Sequence, residues 1–197
     1  TANPFSDVSS DAYYYDAVLW AVEQGITGGT GGGKFSPDTP CTRAQMATFL
    51  WRANGSTEVT GTTPFSDVSA GTYYYNAVLW AYERKITNGT GGRKFSPDAT
   101  CTRAQMVTFL WRANGSPAPT AAVSPFADVS VGSYYYDAVL WAVEQGITSG
   151  TSTTTFSPEA SCTRAQVATF LWRTESPPCP AAPPSRMWPT THIIPTR

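Results

Sequence analysis

Apolar residues along the chain follow a helical rhythm, and they do so in three copies. In the first copy Tyr14, Val18, Ala21 and Val22 are spaced to lie along one helical face. A first helix is predicted there, opening near Ser10 or Asp11, either of which can cap backbone N–H groups, and closing at Gly25. A second helix starts at Thr42-Arg43-Ala44-Gln45, the pattern of a capping box, in which the Thr hydroxyl and the Gln side chain satisfy each other's backbone amides. Met46, Phe49, Leu50 and Ala53 follow at i, i+3, i+4 and i+7, and Asn54-Gly55 supplies residues suited to left-handed angles at the end. Between the helices, Ile26 to Asp38 is rich in glycine, which argues for tight turns with exposed amides rather than a packed element.

The whole unit recurs. Phe5-Ser6-Asp7-Val8 returns as Phe65-Ser66-Asp67-Val68 and as Phe126-Ala127-Asp128-Val129, about 60 residues apart each time. Tyr13 to Thr27 is identical to Tyr134 to Thr148, and the second helices restart at Thr102 and Thr163. The middle copy carries Lys85 where the others have Gly25 and Gly146, a substitution expected to strain or alter that helix end. Two short helices cannot bury their apolar faces alone, so the three units must share one core. The expected fold is mainly α: three helix–loop–helix repeats, 1–56, 57–116 and 117–173, forming one closed pseudo-threefold domain. A Pro-rich tail, 174–197, reads as a linker.

Composition narrows the function. Net charge is −1 and charged residues are only 14%, against about 25% in an average soluble protein, which argues against a nucleic-acid binder. His192 is the only histidine and lies in the tail, so Ser-His-Asp or Cys-His catalysis has no base, and no carboxylate pair is marked out. The chain is therefore read as no enzyme. Cys41, Cys101 and Cys162 occupy one equivalent position and read as buried free thiols, with Cys179 the only other cysteine. No C-x-x-C spacing is present, so neither a metal nor another cofactor is expected.

The order F-x-D-V, aromatic-rich helix, G-I-T-x-G, Gly-rich loop, F-x-P and T-R-A-Q resembles the surface-layer homology (SLH) domain, in three tandem motifs over residues 4 to 173. The resemblance implies a pseudo-threefold helical domain with grooves between motifs. It also implies non-covalent anchoring of an extracellular bacterial protein to a secondary cell wall polysaccharide, often through pyruvylated sugars. The Arg of the family's T-R-A-E motif corresponds to Arg43, Arg103 and Arg164, and the loop glycines to Gly28, Gly29, Gly89 and Gly150. Physical chemistry agrees: a planar guanidinium matches a carboxylate, and Arg43 sits at a helix N-terminus, where free amides favour an anion.

Further ligand contacts are expected from Lys34 and Lys94, from the amides of the Gly-rich loop, and from sugar stacking on Trp20, Trp80 and Trp141 or on the Tyr13 to Tyr15 run, although the tryptophans stand at helical spacing beside other apolar residues and core packing is the first reading for most of them. This chain departs from the family in having Gln45, Gln105 and Gln166 where Glu is typical. Its third loop has a single glycine, Gly150, with Thr155 in place of Lys, so grooves using that loop are expected to differ in affinity. The partner is thus a wall polysaccharide, with no nucleic acid and no membrane insertion, and the module is taken as a monomer. The alternative reading is structural: self-assembly, or adhesion to another protein such as a host surface.

Overall fold

The computed structural model describes residues 2–175, so the tail beyond them, with Cys179 and His192, lies outside the described residues. Six helices follow in order: α1 (Tyr15–Glu23), α2 (Arg43–Ala53), α3 (Tyr75–Glu83), α4 (Arg103–Ala113), α5 (Tyr136–Glu144) and α6 (Arg164–Glu175). Each repeat contributes two. Among the described residues there is no β-sheet, and no helix is long and apolar enough to cross a membrane.

The capping boxes form as the sequence predicts. Gln45 N donates to Thr42 Oγ1 and Thr42 N to Gln45 Oε1, both at 3.2 Å. The same reciprocal pair closes Thr102 with Gln105 and Thr163 with Gln166. The first helix of each repeat differs from expectation. It starts at Tyr15, behind an N-cap, Tyr14, that makes no side-chain capping bond. Asp11 is occupied instead by the hydroxyls of Ser9 and Ser10, which hold the chain in turns before the helix begins. At the other end, α6 runs past Arg173 to Glu175, with Thr174 Oγ1 bonded back to Phe170 O.

Pairing between repeats runs in one direction and returns to its start. The amides of Arg43 and Ala44 donate to Ala99 O and Pro97 O of the second repeat. Those of Arg103 and Ala104 donate to Ala160 O and Pro158 O of the third, and those of Arg164 and Ala165 to Thr39 O and Pro37 O of the first. Inside this circuit the three cysteines form a second one: Cys41 N donates to Cys162 O, Cys101 N to Cys41 O, and Cys162 N to Cys101 O. The thiols are free and buried, and burial pushes Cys41 and Cys162 up to about 12, so they stay protonated and act as small apolar packing groups. Around them Met46, Leu50, Met106, Leu110, Val167 and Leu171 fill a core shared by all three repeats.

Lys85 keeps the helix end of its glycine counterparts. It sits at φ +59°, against +68° at Gly25 and Gly146, and its N–H makes the same bond, to Tyr82 O at 2.9 Å. The end is unaltered and the strain is stored in place. Lys85→Gly should therefore stabilise the fold by about 1 kcal/mol, read as a higher urea midpoint at unchanged slope.

Candidate functional site

Each loop is fastened by one carboxylate. Asp7 accepts from the amides of Phe35 and Ser36, Asp67 from those of Phe95 and Ser96, and Asp128 from those of Phe156 and Ser157, all within 2.9 Å. The clasp holds the serines in the left-handed region, at φ +58°. Burial works to raise the carboxyls of Asp7 and Asp67, but these amide donors, together with Lys34 and Lys94, hold them below the ordinary carboxylate range. A depressed folded-state pKa gives stability that is present above the unfolded value, about 3.9, and lost as pH falls through the folded one. Acid should therefore loosen the loops below about pH 4. Asp67→Asn should cost about 1–2 kcal/mol at pH 7 and less at pH 3, measured by urea unfolding at both.

The clasp presents the carbonyls of Phe35, Phe95 and Phe156 to the neighbouring repeat. Arg43 Nε donates to Phe95 O, Arg103 Nε to Phe156 O and Arg164 Nε to Phe35 O, each at 2.8 Å. The three arginines are only 3%, 1% and 2% exposed. Each guanidinium is sandwiched between two rings: that of Arg43 lies 4.7 Å from the centroid of Phe95 and 5.4 Å from that of Phe109, and Arg103 and Arg164 repeat this with Phe156 and Phe170, and with Phe35 and Phe49. Burial pulls all three pKa values down, yet an arginine stays charged. In each, one terminal nitrogen, Nη2, is buried with no hydrogen-bond partner.

Arg43 reaches into a groove of about 410 Å³ where all three repeats meet. Repeat 1 supplies Arg43 and repeat 3 supplies Tyr134. Repeat 2 supplies the loop Thr87 to Thr90 and, from α4, Gln105, Thr108, Phe109 and Arg112. Those four α4 residues stand at i, i+3, i+4 and i+7, one helical face. Arg103 and Arg112, nine residues apart on α4, lie about half a turn out of phase, so one helix serves two seams. Arg112 Nη1 donates to Ile86 O at 3.0 Å, as Arg52 does to Ile26 O and Arg173 to Ile147 O. Tyr134 stands at the rim, 56% exposed, its ring edge-on to Tyr135. Partial burial, with Glu159 nearby, raises its phenol.

Several expected ligand contacts fall elsewhere. Trp80 and Trp141 are 3% and 6% exposed and belong to the shared core, and Trp20 packs against it half-buried, so the Trp80 and Trp141 faces are covered by protein. The aromatic residues that line the groove are Phe109 and Tyr134, and of these Tyr134 is the exposed one. Lys34 and Lys94 are exposed beside the acidic clasps, and Lys94 does not line the groove. Two of the groove loop's amides are already engaged: Gly89 N is taken by Thr87 Oγ1 and Thr90 N by Lys94 O. Nor are the first amides of α2, α4 and α6, which neighbouring repeats occupy as described above.

Gly89 lines the groove, and a Cβ there would strike the carbonyl of Lys94 and the ring of Phe65. Gly29 and Gly150 are boxed in alike, whereas Gly28 has open space around it. The third loop follows its own path. Where Gly31 to Gly33 and Gly91 to Arg93 take positive φ, Ser152 to Thr154 do not, and hydroxyl bonds among Thr151, Ser152, Thr155 and Ser157 knit the turn.

Among the described residues no cluster of His, Cys, Asp and Glu is placed to hold a metal. The groove's chemistry is that of a cationic, aromatic-rimmed cleft without an acid or base pair. The S-layer homology domain family matches at residues 4–47, 64–107 and 125–168, more than half of the chain. The chain is 36% identical over 117 residues to a cell surface protein of Thermoanaerobacter kivui, covering 57% of this chain and 15% of that protein. It is 28% identical over 179 residues to an S-layer protein of Bacillus thuringiensis subsp. finitimus, covering 87% and 21%. An amylopullulanase of Thermoanaerobacterium thermosulfurigenes is 26% identical over 173 residues, covering 85% and 9%. The chain thus spans about a fifth or less of the length of these relatives, in proteins of different activity. With three motif matches on three structural repeats, the chain belongs to the S-layer homology domain family.

Proposed function

We propose that this chain is a non-covalent anchoring module that binds an anionic, pyruvylated secondary cell wall polysaccharide in the grooves between its repeats. The family and its surface-protein relatives put the chain at the cell surface or cell wall. One observation carries the finer reading: Arg43 is almost wholly buried, yet its Nη2 has no partner and the residue lines a groove without any carboxylate in its walls. A buried charge without a counterion is costly, and a carboxylate held in the groove beside Arg43 would offset part of that cost. The exposed ring of Tyr134 at the rim offers a face to the sugar bearing that carboxylate.

The reading takes the repeats as a closed pseudo-threefold body, supported by the circuits of hydrogen bonds described above, with Arg103 and Arg164 serving the other two seams. One groove gives modest affinity, and several grooves on one polymer gain by effective concentration. The module's role is to hold; whatever catalysis a longer protein performs belongs to its other parts.

Sedimentation with purified cell wall tests this. The chain should co-sediment with intact wall and stay in solution when the acidic polymer has been extracted or its ketals removed by mild acid. Equal sedimentation with both walls would point to a protein or lattice partner instead.

A further inference from the structure

The three repeats share a fold but not a charge. Residues 57–116 hold six Lys and Arg against four carboxylates, a net of +2, whereas 1–56 and 117–173 each stand at −2. The inter-repeat arginines recur in every copy, so the difference lies on the outer surface. Arg84, Lys85 and Arg93 take the places of Gln24, Gly25 and Gly33 of the first repeat, Asn76 that of Asp16 and Gly71 that of Asp11, and all five are exposed. Two of the added cations sit on costly backbone. Lys85 and Arg93 both stand at φ +59°, where Gly25 and Gly33 stand at +68° and +67°. Among the described residues no other non-glycine residue except serine takes a positive φ. Strain held at exposed positions signals a use, and what these two residues have in common is charge.

The cations form one face. Lys85 N donates to Tyr82 O at 2.9 Å, and the Tyr82 ring, 39% exposed, meets the Phe65 ring edge-on at 5.6 Å. The residues on either side of Phe65 hold the loop: Arg93 Nε donates to Pro64 O, and Arg93 O accepts from Ser66 N. The Phe65–Tyr82 pair thus joins Arg84 and Lys85 at the end of α3 to Arg93 and Lys94. The third repeat carries the complement. Its Lys and Arg are only Arg164, which is buried, and Arg173, which is half-buried and bonded to Ile147 O. Asp137 and Glu144 are exposed seven residues apart on one face of α5. Glu144 also accepts from Thr120 N and Ala121 N, and Tyr136 Oη holds Ser124 N and Ala122 O, so the linker is fixed against that helix with Val123 77% exposed. The first repeat, equal in net charge, exposes Lys34 among its acids.

We propose that the basic face of the second repeat is a contact surface for a second copy of this chain, which sets against it the acidic face of its third repeat. Arg84, Lys85, Arg93 and Lys94 oppose Asp137 and Glu144, and Tyr82 packs on Val123. Two different faces meet, so the contact is heterologous and adds copies head to tail. It is small and dominated by charge, so the dilute chain is monomeric and the contact forms between copies crowded side by side. None of these residues lines the groove around Arg43, so the contact is independent of glycan binding.

Sedimentation equilibrium on the full chain reads this directly. At about 0.5 mM protein in low salt the weight-average mass should rise to about twice the monomer value, and it should return to that of the monomer in about 0.5 M salt. A first variant carries Arg84→Gln, Lys85→Gly, Arg93→Gly and Lys94→Thr together. Each change installs the residue of a sister repeat, so the fold is kept, and the variant should stay monomeric in low salt. A second variant, Asp137→Asn with Glu144→Gln, keeps an acceptor for the linker amides and should be monomeric too. Mixed in equal amounts, the two variants should form dimers and nothing larger, because each retains the face the other lacks. Wild type that stays monomeric in low salt overturns the proposal, and its retention on dextran sulfate would then assign the basic face to a polyanion. Association of either variant alone at the wild-type level, or failure of the two to pair when mixed, overturns it as well.

Discussion

Gly89→Ala should cost about 3 kcal/mol, although the added group is one methyl. Two effects combine. The backbone there stands at φ +82°, a conformation that costs a non-glycine residue on the order of 1–3 kcal/mol. The new Cβ would also meet the Lys94 carbonyl and the Phe65 ring, neither of which is a loose side-chain end, and overpacking of this kind costs about 1–3 kcal/mol more. Gly91→Ala is the internal control. It has positive φ, +109°, but open space around it, so only the conformational part is lost, about 1 kcal/mol. The difference in urea midpoint between the two variants isolates the steric part. Gly89 lies between Thr87 and Thr90 in the groove wall, so Gly89→Ala should also weaken wall binding at that groove, while Gly91→Ala should leave it unchanged.

The contrast between these glycines marks where the amino-acid sequence stops being informative. What depends on neighbours three or four residues away could be read directly. The Thr42–Gln45 box, the apolar stripe of α2 and the Gly25 helix end need no tertiary contact to be predicted, and all three are present. α1 starts later than its local pattern predicts because Asp11, a good cap in isolation, is taken by two neighbouring serines. The tryptophans offered both a core and a sugar-binding role, and only packing decides between them: Trp80 and Trp141 face the shared core, and Tyr134 faces the groove. The place of Arg112 in the groove is hidden from the sequence for a related reason. Its partner in the groove, Arg43, belongs to another repeat, so the pair is invisible to any pattern within one helix. The stripe Gln105, Thr108, Phe109, Arg112 was a usable signal, since it puts one aromatic and three polar residues on a single face of an otherwise buried helix. The helix N-termini show the same limit: read locally their amides are free, but the adjoining repeat bonds them.

Replacing Arg43, Arg103 and Arg164 together by Met should abolish wall binding while the protein still folds. Charge reversal would be a poor test of these residues. They are 3%, 1% and 2% exposed, and a carboxylate placed between two phenyl rings beside a carbonyl oxygen would unfold the chain whatever the groove does. Met keeps an unbranched apolar stem that reaches about as far as Nε and packs well on aromatic faces, so the two rings keep a partner. It gives up the Nε bond and leaves a carbonyl such as Phe95 O unpaired, a loss of about 1–3 kcal/mol per site. Against that, it removes a buried guanidinium whose desolvation is only partly compensated, and such replacements are often close to neutral. The net change should be about 1 kcal/mol per site in either direction, a melting transition that remains cooperative, and binding reduced to that of wild type on ketal-stripped wall. Single Met variants grade the effect, because losing one of several tethered contacts lowers avidity without abolishing it. Should the triple variant fold and still sediment with intact wall, the guanidinium groups would be inter-repeat struts alone, and the anion would have to be sought on another face of the molecule.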